Sequence, residues 1–191
     1  MTDFERDVPA RWPVHDQEDV WSGEAPFSVR VDTVSTRPQE RFSRLVVEHP
    51  GAVVVLAVDG QERALVLSQY RHAIGMRMVE LPAGLLDGPG EDPEAAGRRE
   101  LREEALLLAG SWEHLLATYS SPGIVDELVH YFLARDLSPA PDRGDFEPAH
   151  EEADMTLEWV PVSDLVDGVL AGRLADGPLA QAVMAYVLRH R

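Results

Sequence analysis

Apolar and polar positions along the first half of the chain follow a pattern that predicts strands. FSVRVDTV (27–34), RFSRLVVEH (41–49), GAVVVLAV (51–58) and RALVLSQY (63–70) are rich in β-branched residues and are separated by polar or glycine-containing breaks. The stretch AVVVLAVDGQERALVLSQY reads as a hairpin turning at Asp59-Gly60, and its unbroken apolar runs predict a position covered on both faces. The pattern then breaks into PAGLLDGPG (82–90), a loop punctuated by glycine and proline. Asp92 followed by Pro93 supplies an N-cap and a first-turn proline, so a helix is predicted through EAAGRRELREEALLL to a cap near Gly110. Further strands are predicted at EHLLATYS, ELVHYFLARDL and MTLEWVPV. Two helices then close the chain, from Ser163 to about Arg173 and from Gly177, with Pro178 in its first turn, to the end. Strands, helix, strands, helices is the order of an α/β (α+β) fold with a mixed sheet between helices.

Residues 1–25 are rich in charge and proline and show no sustained period, which predicts an irregular arm ahead of one domain spanning 26–191. Trp12, Trp21 and Phe27 are too apolar to stand bare in water and are expected to dock on their own domain or on a second subunit. The balance of 34 acidic to 17 basic residues gives a formal charge of −17, a field that repels a nucleic-acid backbone. It also means that a phosphate-bearing ligand needs a cation between itself and the protein. There is no cysteine, so thiolate catalysis and cysteine-ligated metals are excluded. No apolar leader or membrane-length run is present, and a soluble cytoplasmic protein without membrane partners is expected. The seven histidines have no ligand spacing. His72 is expected at the surface or the core edge, and Tyr119 and Tyr131, in strand-like segments, in the core.

RRELREEAL (98–106) places Glu100, Glu103 and Glu104 on one helical face, where they repel one another. Arg98, Arg99 and Arg102 could offset that repulsion as a solvated ion-pair face. The alternative follows from the glycine-rich loop just before: backbone carbonyls beside hard carboxylate oxygens suit Mg²⁺ or Mn²⁺ bridging to phosphates.

Glu91, seven residues, Arg99-Glu100-Leu101, one residue, then Glu103-Glu104, with Gly84 as the opening glycine, resembles the Nudix box of the Nudix hydrolases. If each of the five fixed polar types occurs about one time in ten, chance gives roughly 10⁻⁵ per starting position. Two departures are visible: the loop from Gly84 to Glu91 is one residue longer than the usual box, and Leu106 stands where the box carries glycine. LSQYRH, ELPAGLLD, SSPGIVDE and AHEEADMTLEWVP, together with Pro122 beyond the box, are similar to the ADP-ribose pyrophosphatase branch, especially its actinobacterial members.

This resemblance implies the Nudix fold and Mg²⁺-dependent hydrolysis of ADP-ribose to AMP and ribose 5-phosphate, with Mn²⁺ a possible substitute. It implies divalent ions on Glu100, Glu103, Glu104 and the Ala83 carbonyl, and structural roles for Gly84, Glu91 and Arg99. Substrate contacts would come from Arg71, Glu80, Leu85, Pro122, Gly123 and Glu127. A glutamate on a late loop, Glu152 in preference to Glu151, would activate water, with Glu103 a further catalytic candidate. The family also builds its adenine slot across a homodimer from N-terminal strands, for which Trp12, Trp21, Phe27 and Phe42 are candidates. Two alternatives remain: action on another nucleoside diphosphate sugar or an oxidised nucleotide, and a non-catalytic module that senses such nucleotides.

Overall fold

The computed structural model describes residues 6–23, 26–86, 90–144, 146–147 and 154–190. The chain divides into two compact units, residues 1–49 with 120–127, and residues 50–119 with 128–191.

The first unit is an antiparallel meander of β1 (Val14–Ser22), β2 (Ser28–Arg37) and β3 (Glu40–Glu48). Strand β1 forms inside the segment whose sequence suggested an irregular lead-in. Its side chains show no alternation because all nine residues are exposed, so pairing with β2 rather than burial of one face defines it. The segment 120–127 joins this unit through a parallel bridge between Val47 and Val125, and the His49 amide donates to Asp126 Oδ1 at 2.8 Å. Trp12 meets Phe42 edge-on at 5.7 Å, and Trp21 stacks on Phe27 at 5.8 Å, which stacks in turn on His49 at 6.2 Å.

The second unit is built on a four-stranded mixed sheet in the order β7 (Ala83–Leu85), β4 (Ala52–Ala57), β9 (Leu128–Pro139), β8 (Leu107–Tyr119), with β4 and β9 parallel and the other pairs antiparallel. Strand β4 shows why its run is continuously apolar. Val53, Val55 and Ala57 pack toward helix α1 (Pro93–Ala105), with Ala96, Leu101 and Ala105. Val54, Leu56 and Val58 pack with Leu179, Ala182 and Val183 of α3 (Gly177–Arg189) and with Val162 and Leu165 of α2 (Val162–Leu170). Period-2 alternation between two covered faces makes every position apolar. This is the expected sheet between helices.

A second sheet carries β10 (Thr156–Pro161), β5 (Arg63–Arg71) and β6 (Met76–Glu80), all antiparallel. The expected β4–β5 hairpin is therefore real only at its tip. Asp59 makes the tight turn, accepting from the Gln61 and Arg63 amides at 2.9 Å, and Val58 bridges Ala64. Beyond that point the two strands leave for different sheets, because each finds longer partners elsewhere: β9 for β4, β6 and β10 for β5.

Two further expectations are corrected. Helix α1 stops at Ala105, about one turn before Gly110, with Leu106 in the left-handed conformation (φ 55°) as its cap. Leu107 onward pairs with β9, and that ladder outweighs the helical propensity of ALLL. Tyr119 lies at the end of the edge strand β8 and is 59% exposed, whereas Tyr131 on the central strand β9 is buried as expected.

Candidate active site

The box glutamates sit where α1 faces β7. The helix is fixed by Asp92, which caps the Glu94 amide, by Pro93 in its first turn, and by Leu101 in the core. Gly97 lets the helix approach the sheet, since a Cβ there would lie 3.2 Å from Val53 and 3.3 Å from Trp112. That placement turns Glu100 and Glu104 inward: they are 8% and 7% exposed, unusual for carboxylates. Glu104 accepts the Ala83 amide at 3.0 Å. The Glu100 carboxylate lies directly over Gly84, where a Cβ would fall 2.0 Å from its Oε1, so only glycine leaves room.

The three arginines of the run divide their work. Arg98 pairs with Glu94 at 2.7 Å and lies over the Trp112 ring, and Arg102 pairs with Asp142. Both are ordinary surface pairs. Arg99 instead faces the box: it donates to Glu100 at 2.5 Å, lies 3.5 Å from Glu103 and 3.7 Å from Glu91, and donates to the Leu85 carbonyl at 3.1 Å. It thus ties loop, helix and carboxylates together. Leu85 contributes its carbonyl to that clamp.

With Arg99 holding Glu100 and beside Glu103, and the Ala83 amide holding Glu104, no three acidic, histidine or cysteine groups among the described residues converge as a ready ion cage. The donor set nonetheless fits a hard divalent cation. Two buried carboxylates, a half-buried third and a backbone carbonyl at Ala83 offer oxygen only, and the absence of a side chain at Gly84 lets the Glu100 carboxylate lie against β7.

A cleft of about 270 Å³ adjoins this loop, lined by Arg71, Ile74, Met78, Glu80, Leu81, Ala83, Asp176 and Pro178. Arg71 on β5 and Glu80 on β6 reach each other because alternate residues of the antiparallel pair share a face. Their contact is a two-pronged fork, Nε to Oε1 at 2.8 Å and Nη2 to Oε2 at 2.5 Å, and it raises the Arg71 pKa, so the guanidinium stays charged. Asp176 was not foreseen as a site residue. The one signal, an acidic residue before Gly177-Pro178, reads as a helix cap, and it does cap α3, accepting the Leu179 amide at 2.7 Å. Burial pushes its carboxyl up to about 6; Glu80 adds to the rise, and the Leu179 bond and Arg71 oppose it.

Arg143 was also unforeseen. It donates to the carbonyls of Glu103 and Glu104, the latter at 3.0 Å, and so satisfies the end of α1 that the absent glycine would otherwise finish. Pro122, Gly123 and Glu127 belong to the first unit, where Glu127 lies 3.6 Å from His49. Glu151 and Glu152 lie outside the described residues. His72 is exposed, as expected, within a 3₁₀ turn over His72–Ile74.

A family model described as NUDIX domain matches residues 48–182. An ADP-ribose pyrophosphatase of Mycobacterium tuberculosis is 41% identical over 161 residues, covering 84% of this chain and 76% of its own length. One of Bacillus subtilis is 32% identical over 173 residues, 91% of each chain. A crystal structure of an ADP compounds hydrolase superposes with a TM-score of 0.77 over 96% of both chains at 18% identity, a likeness of fold.

Proposed function

The chain belongs to the NUDIX family, and on that premise we propose that it hydrolyses the pyrophosphate bond of ADP-ribose with Mg²⁺, giving AMP and ribose 5-phosphate. The observation that carries this reading is the pair of buried carboxylates, Glu100 and Glu104, packed against Ala83 and Gly84 beside a cleft that holds Arg71. The relatives from M. tuberculosis and B. subtilis, both ADP-ribose pyrophosphatases, support the choice of substrate.

Glu100, Glu103, Glu104 and the Ala83 carbonyl would hold the divalent ions. Bound there, Mg²⁺ supplies charge neutralisation for the diphosphate and acidifies water, chemistry that a protein of charge −17 cannot provide alone. Arg71 orients the phosphates with a charge that Glu80 keeps in place. Glu152, or Glu151 beside it, takes the proton from the attacking water, whose oxygen displaces the leaving phosphate in line. Glu127 and the Pro122-Gly123 turn contact the ribose side, and Leu85 packs against substrate. Arg99 and Glu91 keep the loop in shape.

The enzyme acts as a homodimer through its N-terminal strands. Val14, Val20, Trp21, Phe27 and Leu45 in that unit are each between 40% and 55% exposed, more apolar surface than a three-stranded sheet leaves to water without a partner. The Trp21–Phe27 stack is the best candidate platform for adenine.

The test is release of AMP and ribose 5-phosphate from ADP-ribose, measured by chromatography with Mg²⁺ and with chelator. Turnover that requires Mg²⁺ and is lost in Glu104→Gln supports the reading. Equal rates on ADP-glucose or nucleoside triphosphates would overturn the substrate assignment. Binding with no turnover would favour a sensing module, a reading that the Arg99 contacts to Glu100 and Glu103 also permit.

A further inference from the structure

The cleft beside the box has a chemical character of its own. Its apolar walls are Ile74, Met78, Leu81 and Pro178, and none of the described residues lining it is aromatic, so it offers a nucleobase no stacking surface. Its polar groups are one guanidinium, already forked to Glu80, and the Asp176 carboxylate. A second phosphate is a poor occupant, because two carboxylates against one guanidinium leave the cleft negative. A neutral group rich in hydroxyl donors is a good one, because ionised carboxylates are acceptors only.

Asp176 is held for such a role. Its Oδ2 is fixed by the Leu179 amide at 2.7 Å, and the following Gly177-Pro178 turn and helix α3, anchored in the core by Leu179, Ala182 and Val183, set its position. We propose that Asp176 is a substrate-binding residue that accepts a hydrogen bond from a hydroxyl of the sugar distal to the adenosine, and so sets a preference for sugar-bearing diphosphates; this rests on the ADP-ribose reading above. Arg71, held in place by Glu80, orients the phosphate end of the same group.

The experiment compares wild type and Asp176→Asn at saturating Mg²⁺. It reads KM for ADP-ribose and the competitive Ki of ADP, which shares the adenosine and diphosphate but lacks the distal sugar. Asparagine keeps the helix cap, so the fold is preserved. KM for ADP-ribose is expected to rise about tenfold, the worth of one charge-assisted hydrogen bond, while Ki for ADP stays within about twofold. Asp176→Ala, which also removes the cap, is expected to show the same KM-to-Ki ratio with a lower melting temperature. A KM that does not move, a KM and Ki that rise together, or a change confined to the Mg²⁺ concentration for half activity would each overturn the assignment. Wild-type protein that releases no AMP from ADP-ribose refutes the activity itself and this inference with it. Wild-type turnover with an unchanged ratio in Asp176→Asn refutes only the role of Asp176.

Discussion

Replacing Gly84 by alanine separates metal binding from folding. The new methyl group would sit 2.0 Å from Glu100 Oε1 and 2.1 Å from its carboxyl carbon, whereas real Cβ contacts do not fall below 3.0 Å. The carboxylate must therefore retreat by about 1 Å. Strand β7 cannot yield in its place, because Gly84 is paired in register with Val53, which is fully buried in β4. A Mg²⁺–oxygen bond of about 2.1 Å tolerates only a few tenths of an ångström, so a 1 Å shift removes Glu100 as a ligand. The fold loses little, since the displaced atoms are the far end of a flexible side chain. The expected stability change is about 1 kcal/mol, a single weakened charge-assisted bond to Arg99. Mn²⁺ affinity, read by calorimetry or electron paramagnetic resonance, is expected to drop by roughly 10–100-fold. Urea unfolding supplies the stability. If Gly84→Ala binds Mn²⁺ within about twofold of wild type, Glu100 is not a ligand and the metal-site reasoning fails.

Asp176 gives a pH signature. Its folded-state pKa of about 6 lies above the unfolded value of 3.8, so the fold prefers the protonated acid. Stability is thus present below pH 4 and is lost as pH rises toward 6, by up to about 3 kcal/mol. Asp176→Asn has no such loss: its urea-unfolding free energy should gain on wild type between pH 4 and pH 7, and parallel curves would contradict the assignment. At Leu106 the left-handed backbone reverses a familiar ranking. Leu106→Gly is expected to be more stable than Leu106→Ala by about 1 kcal/mol in chemical denaturation, opposite to the order inside a helix. Tyr186→Phe removes a part-buried hydroxyl that donates to Glu62 and accepts from Arg135, and should cost about 1 kcal/mol with no change in KM. Arg143→Ala uncovers the last carbonyls of α1 and is expected to lower the melting temperature by a few degrees, a loss that Arg143→Lys partly restores.

Among the described residues, the linear pattern of the chain already located the three helices, seven of the ten strands (β8 only in its second half) and the box, and left β1, β6 and β7 unread. Alternation and β-branching locate β2 to β5, β9 and β10 to within a few residues, Asp92-Pro93 starts α1, and the spacing of Glu91, Arg99, Glu100, Glu103 and Glu104 matches the box, because these signals are local and repeat with the period of one element. Tertiary structure decided what depends on competition between distant partners. It sent β4 and β5 into different sheets, ended α1 at Leu106 because Leu107 gains a ladder with β9, and formed β1 where no periodicity exists. It also divided the arginines, giving two to surface pairs and Arg99 to the box, and brought Asp176 from the far end of the chain into a cleft with Arg71 and Glu80. A residue's own neighbours fix its backbone preference. Which charge it meets across more than a hundred positions of sequence is fixed only once the core has closed.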